Sequence, residues 1–314
     1  MKFLGSLLLC VIAFSSLAQK KTLSHTVYDQ WKEIGSKALT PDGKFAAITI
    51  NPQDGDGRIV FYNLKAGTQD SVKRGDNVSL TYDNKYAVFK IKPQQKIVKA
   101  LRRQKKKKED LPKDSLAIYS FATRKTEKIA DVKTYRVPEK AGGWVAYTLE
   151  AKKEEKPKAG EKPKKVKKNT DDNGYTLLLR NLDDNKTTQY PFVRDFVFAR
   201  NGSGLLFTTS GDSSIVAGIY WYDLKTNQLK SLHGGRPKYK YKGLSISEDG
   251  TQAAFLLDAD TTKALIRHPQ LFVWKSGEVA AKHFDIENSL ALPVGWLLSD
   301  NQTPWFLKIT GYHF

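Results

Sequence analysis

The chain has 314 residues, a formal net charge of +19 and a single cysteine, Cys10. Hydrophobic residues make up 40% of the sequence and aromatic residues 11%, which suffices for a packed core and excludes a wholly disordered protein. One cysteine also excludes a disulfide framework and a cysteine-ligated metal site.

Residues 1–18 predict a secretory signal peptide. Lys2 supplies the positive start, an apolar run extends from Phe3 to Phe14, and a small-x-small cleavage site ends at Ala18. We therefore expect a periplasmic or secreted protein with no membrane anchor after cleavage. A lipoprotein attached through Cys10 is the alternative, and Leu9 disfavours it because a small residue is wanted there.

A strand–turn–strand phrase follows and recurs along the chain. Its turns carry Asp-Gly, Asp-Asn or Asn-Gly, which tolerate the positive φ angles of tight hairpins, and apolar residues that favour extended backbone follow them. The copies are residues 37–50 (KALTPDGKFAAITI), 79–91 (SLTYDNKYAVFKI), 198–207 (FARNGSGLLF), 245–255 (SISEDGTQAAF) and a degenerate copy, 141–147 (AGGWVAY).

A second phrase alternates with the first and begins at Arg58, Ser115, Tyr175, Gly218 and Gln270. Each copy is an apolar, aromatic strand, a polar turn and a shorter polar strand. One phrase of each kind makes four antiparallel strands, and a unit of this length repeated along a chain is typical of β-propeller blades. The sequence therefore predicts an all-β protein, a β-propeller of TolB-like or WD40-like repeats spanning residues 19–314, with about five to six four-stranded blades.

This pattern also predicts blade positions and a buried set. We expect blades near residues 37–91, 115–149, 175–209, 218–257 and from 270 onward, allowing for a strand exchanged between neighbours. The side chains expected between the sheets are Phe45, Ile48, Phe61, Tyr86, Phe89, Trp144, Phe207, Trp221, Phe255 and Trp274.

The last repeat is incomplete in sequence. Residues 296–301 begin like another first phrase, but Pro304 then falls where a ladder hydrogen bond is needed. We therefore expect an unfinished last blade and self-association through unpaired propeller edges.

Two basic insertions, at about 92–113 and 151–173, supply most of the net charge. Residues 92–113 hold ten Lys or Arg against two acids, and residues 151–170 hold nine Lys against three. The first insertion predicts a short basic helix before Leu111-Pro112, whereas the second is a low-complexity loop. An anion-binding patch is one interpretation and solvated loops are the other. We favour solvated loops and expect no nucleic-acid partner, because no aromatic residue interleaves with the lysines.

Motifs for chemistry are missing from the sequence. No Gly-x-Ser-x-Gly is present, and GLSIS at Gly243 is the nearest match. His233-Gly234-Gly235 resembles an oxyanion loop but is interpreted as a turn. Asp54-Gly55-Asp56-Gly57 suits a hairpin better than a calcium loop, since later carboxylates are absent. We assign no catalytic, cofactor-binding or metal-binding residue, and no cofactor.

The repeats TPDGKFAAITI and SEDGTQAAFLL resemble those of TolB and of prolyl oligopeptidase-like serine peptidases. The start of the mature chain and the insertion IKPQQKIVKALRRQKKKKEDLPKDSLAIY resemble the N-terminal half of exported bacterial members of that peptidase family, and the resemblance extends from about Leu23 to Trp296. It implies a propeller that filters peptide or protein substrates above an α/β-hydrolase domain.

No hydrolase motif is found here, so the resemblance implies a non-catalytic fragment, and no family catalytic residue can be assigned. The alternative is a free-standing exported propeller that binds a protein, peptide or glycan.

Overall fold

The computed structural model describes residues 27–28, 31–151, 167–262, 264–286, 293 and 295–307. The predicted signal peptide and residues 152–166 of the second insertion lie outside these ranges. In the described residues, nineteen strands form four antiparallel sheets, three of four strands and one of seven. No helix in these ranges is long and apolar enough to cross a membrane.

The first two sheets are the first and second blades, each with its strands in chain order. The first blade contains β1 (Lys32–Leu39), β2 (Phe45–Pro52), β3 (Arg58–Asn63) and β4 (Thr68–Lys73). The second blade contains β5 (Gly75–Leu80), β6 (Tyr86–Ile91), β7 (Ser115–Ser120) and β8 (Thr126–Ile129). The first insertion joins β6 to β7 and contains the helix α1 (Gln95–Arg103), as the sequence predicts.

The seven-stranded sheet is two blades fused through one long strand. It contains β9 (Val132–Arg136), β10 (Trp144–Leu149), β11 (Tyr175–Asn181), β12 (Thr187–Phe198), β13 (Gly204–Thr209), β14 (Gly218–Asp223) and β15 (Gln228–Gly234). Residues 187–193 of β12 pair with β11 and residues 193–198 with β13. The third blade is therefore β9 to the first half of β12, and the fourth is its second half to β15.

The fifth blade contains β16 (Lys240–Ile246), β17 (Gln252–Asp258), β18 (Gln270–Lys275) and β19 (Lys282–Phe284). No strand occurs in the described residues 295–307. Pro304 lies against β16, so close that a side chain on Gly243 would come within 2.8 Å of it.

The propeller prediction is confirmed, but the blade boundaries differ from those predicted. Each blade is one first phrase and the second phrase that follows it. The boundary between the first two blades is abrupt because only Arg74, at a φ of 64°, separates β4 from β5. Gly75 allows this crossing, since a Cβ there would lie 2.9 Å from Ile59.

The core consists of apolar layers between neighbouring blades. Phe61 of the first blade contacts Phe89 of the second, and Trp221 of the fourth contacts Trp274 of the fifth. Of the ten side chains predicted to be internal, six are buried and four partly buried. The buried ones are Phe61, Phe89, Phe207, Trp221, Phe255 and Trp274.

The repeated turns share one hydrogen-bonding pattern. Thr40 donates through Oγ1 to Asp42 Oδ1 over 2.8 Å and accepts from the Phe45 amide over 3.0 Å. The same pattern recurs in the second and fifth blades, at Thr81-x-Asp83 and Ser247-x-Asp249. The Thr/Ser-x-Asp sequence therefore closes these turns through side chains.

Successive turns also touch, and together they form one end of the propeller, the turn face. The Asp42 amide donates to Asn84 Oδ1 over 3.2 Å, and Asn201 Nδ2 donates to the Asp249 carbonyl over 2.6 Å. Gly142 lies against Asp83, and a Cβ there would come within 2.2 Å of that carboxyl carbon. This close approach explains Gly142 in the degenerate copy, residues 141–147, and the positive φ of 76° explains Gly143.

The first blade exposes apolar side chains on the side away from the second blade. Ile34 is 68% exposed and Leu39 is 59% exposed. They pair with Ile50 and Ala46, which lie on the opposite side of β2 from Ala47, a residue of the core with the second blade. Exposed apolar sheet faces promote association.

We therefore predict that the purified chain self-associates through this face of the first blade. Light scattering should report a mass above the monomer, and Ile34→Asp with Leu39→Asp should move the mass toward the monomer. A sharp monomeric peak for the unmodified chain, together with one cooperative melt, would contradict the prediction.

Candidate functional site

Two clefts open at the end of the propeller opposite the turn face. This end, the loop face, is formed by the β2–β3, β6–β7, β10–β11, β13–β14 and β17–β18 connections and by the links between blades. The first cleft, of about 570 Å³, lies between the first two blades and α1. The second cleft, of about 630 Å³, lies beside the inner strand β16 of the fifth blade.

Helix α1 is held in place at the first cleft by the loop between β2 and β3. Asp56 Oδ1 accepts from the Gln95 amide over 2.8 Å, and Gln95 Oε1 accepts from the Gly55 amide over 2.7 Å. Lys99 forms an ion pair with Asp54, which lowers the pKa of that carboxyl through the hydrogen bond. The predicted Asp54–Gly57 hairpin thus positions the helix, a role that the sequence analysis missed.

Deeper in the first cleft, one carboxylate links two lysines. Asp114 Oδ2 accepts from Lys90 over 3.2 Å and from Lys92 over 2.9 Å. Lys90 also donates to the Lys133 carbonyl over 2.6 Å. These contacts join the second blade to the third, so the charged groups stabilise the packing of the two blades.

In the second cleft, Arg194 is occupied by backbone carbonyls. Its guanidinium donates to Asp172 and Tyr239 over 2.6 Å and to Pro237 over 2.8 Å. Burial lowers the pKa of Arg194. Arg194 therefore holds the cleft wall together through three of its five N–H groups.

The remaining cations of the second cleft differ in their pairing. Arg267 binds Asp258 through Nη2 and Nε over 2.6 and 2.8 Å, and Lys242 pairs with Asp300. Lys238 and Lys240 also line the cleft, both are exposed, and neither forms an ion pair within the described ranges. These two ammonium groups are therefore available to an anionic ligand there.

A serine and a lysine meet near the loop face, at the end of the second insertion. Lys167 Nζ lies 2.7 Å from Ser210 Oγ and also donates to the Ser210 and Gly211 carbonyls over 2.9 and 2.6 Å. Burial lowers the pKa of Lys167. The Ser210 hydroxyl is buried and donates to the Asn173 carbonyl. The pair therefore anchors residues 167–174 and is not arranged as a nucleophile and its base.

The histidine motif has a structural role. His233 lies at the end of β15 and not in the turn that the sequence predicts, because its residues continue the ladder with β14. Its Nδ1 lies 2.9 Å from the Tyr241 hydroxyl, its ring contacts Phe255 and Phe272, and burial lowers its pKa. Ser245 of GLSIS lies in the ladder between β16 and β17.

We predict that the purified chain does not cleave peptide or ester substrates. In the described ranges no serine hydrogen-bonds a histidine, and Ser210, which contacts a lysine, is buried and already donates its proton. A fluorophosphonate probe should therefore label the folded protein no more than a heat-denatured sample. Labelling above that background would contradict the prediction.

Metal-ligand clusters are also absent from the described residues: no three His, Cys, Asp or Glu side chains are close enough to hold an ion. The carboxylates of Asp54 and Asp56 are instead engaged by α1.

Solved structures with a similar fold are β-propellers. The propeller domain of the Trilobed protease from Pyrococcus furiosus has a TM-score of 0.42 at 11% identity, covering 80% of this chain and 71% of that one. Pyrococcus horikoshii acylaminoacyl peptidase has a TM-score of 0.43 at 11% identity, and the match covers 81% of this chain and 40% of that one. An oligogalacturonate lyase from Vibrio parahaemolyticus has a TM-score of 0.41 at 12% identity, and the match covers 79% of this chain and 64% of that one.

These likenesses are distant and concern the fold. This chain spans 40% of the acylaminoacyl peptidase. No family model matches the chain, and no curated protein matches it.

Proposed function

We propose that this chain is the non-catalytic propeller part of a prolyl oligopeptidase-like serine peptidase and that it controls the access of peptides to a hydrolase domain. The observation that carries the proposal is the arrangement of the loop face. Both clefts open there, β1 begins there and β19 ends there, so a further domain joined to either strand would meet the clefts.

The second cleft suits a peptide better than an uncharged ligand. Lys238 and Lys240 can bind a terminal carboxylate, while Asp260 and the hydroxyl of Thr261 also line the cleft and can accept from peptide amides. Among the described strands, the inner strand β16 pairs with β17 alone. These features support recognition of a chain end in the second cleft.

Peptide binding can be tested on the chain as it stands. A fluorescent peptide with a free carboxyl end should bind more tightly than its C-terminal amide, and Lys238→Ala with Lys240→Ala should remove the difference. The matched control is Lys65→Ala with Lys225→Ala, two exposed lysines in turns at the opposite end of the propeller. Equal binding of acid and amide by the unmodified chain would contradict peptide recognition in this cleft.

The link to a peptidase is tested by the coding DNA beyond the codon for Phe314. Hydrolase-like sequence with Gly-x-Ser-x-Gly in any frame is the expected result. A clean stop followed by unrelated sequence would instead favour a free-standing exported propeller that binds a protein, peptide or glycan.

A further inference from the structure

Helix α1 is oriented with its polar side toward the propeller. Gln95 and Lys99 bind the loop between β2 and β3, and Val98 and Arg102 line the first cleft. Residues of a helix advance by about 100° each, so these four occupy one arc of α1. In surface helices the arc that faces the protein is normally apolar. Here it is largely polar.

The opposite arc of α1 carries an apolar ridge of Ile97, Ala100 and Leu101. Ile97 is 46% exposed, Ala100 is exposed and Leu101 is half-buried, and no residue of the helix is buried. Ile97 and Leu101 are four residues apart and therefore neighbours on the helix surface. Ile97 and Leu101 face away from the groups that hold α1 to the propeller, whereas Ala100, at the edge of the ridge, also borders the loop between β2 and β3.

Cations lie along one side of this ridge and beyond the C-terminal end of α1. Lys96 and Arg103 lie beside it on the helix, and Lys105 and Lys106 follow directly. In the described part of the first insertion the ion pairs are those of Lys92, Lys99 and Lys107. None of these four cations forms an ion pair among the described residues, although Lys96 and Arg103 border a pocket that Asp54 and Asp56 also line.

We propose that α1 is a membrane-surface helix, which places its apolar ridge in the interface of an anionic lipid bilayer while the neighbouring cations contact the headgroups. An exposed apolar arc flanked by lysine and arginine is the pattern of helices that lie in a bilayer interface. Each cation near an anionic surface adds to the attraction.

The size of the ridge favours a bilayer over a protein partner. A stable protein interface buries on the order of 800 Å² on each partner, which three side chains of one short helix do not supply. A bilayer needs no matching surface. It gains from a few apolar side chains together with several charges, and α1 with the two lysines after it supplies both.

The test is cosedimentation of the full chain with vesicles of phosphatidylcholine, with and without phosphatidylglycerol. We expect binding to the anionic vesicles only, weakened by added salt. Lys96→Gln with Arg103→Gln should lower the affinity by about 25-fold, since each cation contributes about fivefold. Ile97→Gln with Leu101→Gln should lower it by about tenfold. Glutamine preserves helix propensity.

Matched controls lie at the turn face. Leu64→Gln removes a side chain that is 55% exposed, and Lys65→Gln with Lys225→Gln removes two exposed cations. Neither control variant should lower the affinity for anionic vesicles by more than about fivefold, which is the effect expected of one cation on α1. All variants should melt like the unmodified chain, because none of the substituted side chains is buried.

The proposal is overturned if the unmodified chain does not bind anionic vesicles. It is also overturned if the Ile97 and Leu101 variant binds them unchanged, since the attraction would then be to any polyanion. Equal losses in the turn-face controls would likewise place the contact elsewhere. An acidic protein bound through the same ridge, with no vesicle binding, would replace the bilayer as the partner.

Discussion

Replacing Phe255 with alanine is expected to lower the free energy of unfolding by about 3–5 kcal/mol. Phe255 is fully buried in β17, between the fourth and fifth blades. Its ring stacks on Phe272 with centroids 5.5 Å apart and meets the edge of His233 at 6.1 Å. Its removal would leave a cavity between two rigid sheets that cannot close over it.

Urea unfolding followed by tryptophan fluorescence measures this change, because Trp221 and Trp274 lie in the same cluster. Leu265→Ala is the control: Leu265 is 99% exposed, so its removal should change stability by no more than about 0.5 kcal/mol. Equal midpoints for Phe255→Ala and the unmodified chain would show that the fourth and fifth blades do not share this core in solution.

The propeller could be predicted because its signals are local. Alternating apolar residues specify strands, and the Thr/Ser-x-Asp turns close through their own side chains, as at Thr40 and Asp42. Such patterns need no knowledge of distant contacts. The same holds for α1, whose apolar and basic residues already alternate at helical spacing in the sequence.

The blade boundaries needed long-range information. Strand β12 serves two blades, and its pairing shifts between Val193 and Asp195, just after Phe192 adopts a φ of 51°. In the sequence TTQYPFVRDFVF, Pro191 indicates an interrupted ladder, but it does not show that one half pairs with β11 and the other with β13. A continuous strand and a crossing strand have the same local pattern, and the neighbouring sheets decide between them.

The site was harder still to predict, because its contacts join distant segments. Asp54 and Asp56 bind α1 about 40 residues away, and Lys167 binds Ser210 and Gly211 across a similar distance. A signal existed for the first pair: two carboxylates flanking a glycine, in a chain whose following insertion is strongly basic. No such signal existed for Lys167, because it stands in a lysine-rich run in which nothing distinguishes it from the other lysines.

Removing Glu127 is expected to destabilise the protein by about 2 kcal/mol. Glu127 of the second blade binds Arg180 of the third through two hydrogen bonds of 2.6 and 2.8 Å. The side chain of Arg180 is only 11% exposed, whereas that of Glu127 is 52% exposed. The expected loss of stability is therefore smaller than for a fully buried ion pair. In Glu127→Ala the arginine keeps one partner, Asn185, at 2.7 Å.

Two further variants separate the charge from the contact. Lys140→Ala breaks an exposed pair with Glu248 at 3.4 Å and should cost no more than about 0.5 kcal/mol. Glu127→Leu with Arg180→Met removes both charges and should recover most of the loss, because the cost arises from an arginine left without its counterion. If thermal unfolding shows the double variant to be as unstable as Glu127→Ala, the destabilisation comes from lost packing between the second and third blades and not from the uncompensated charge.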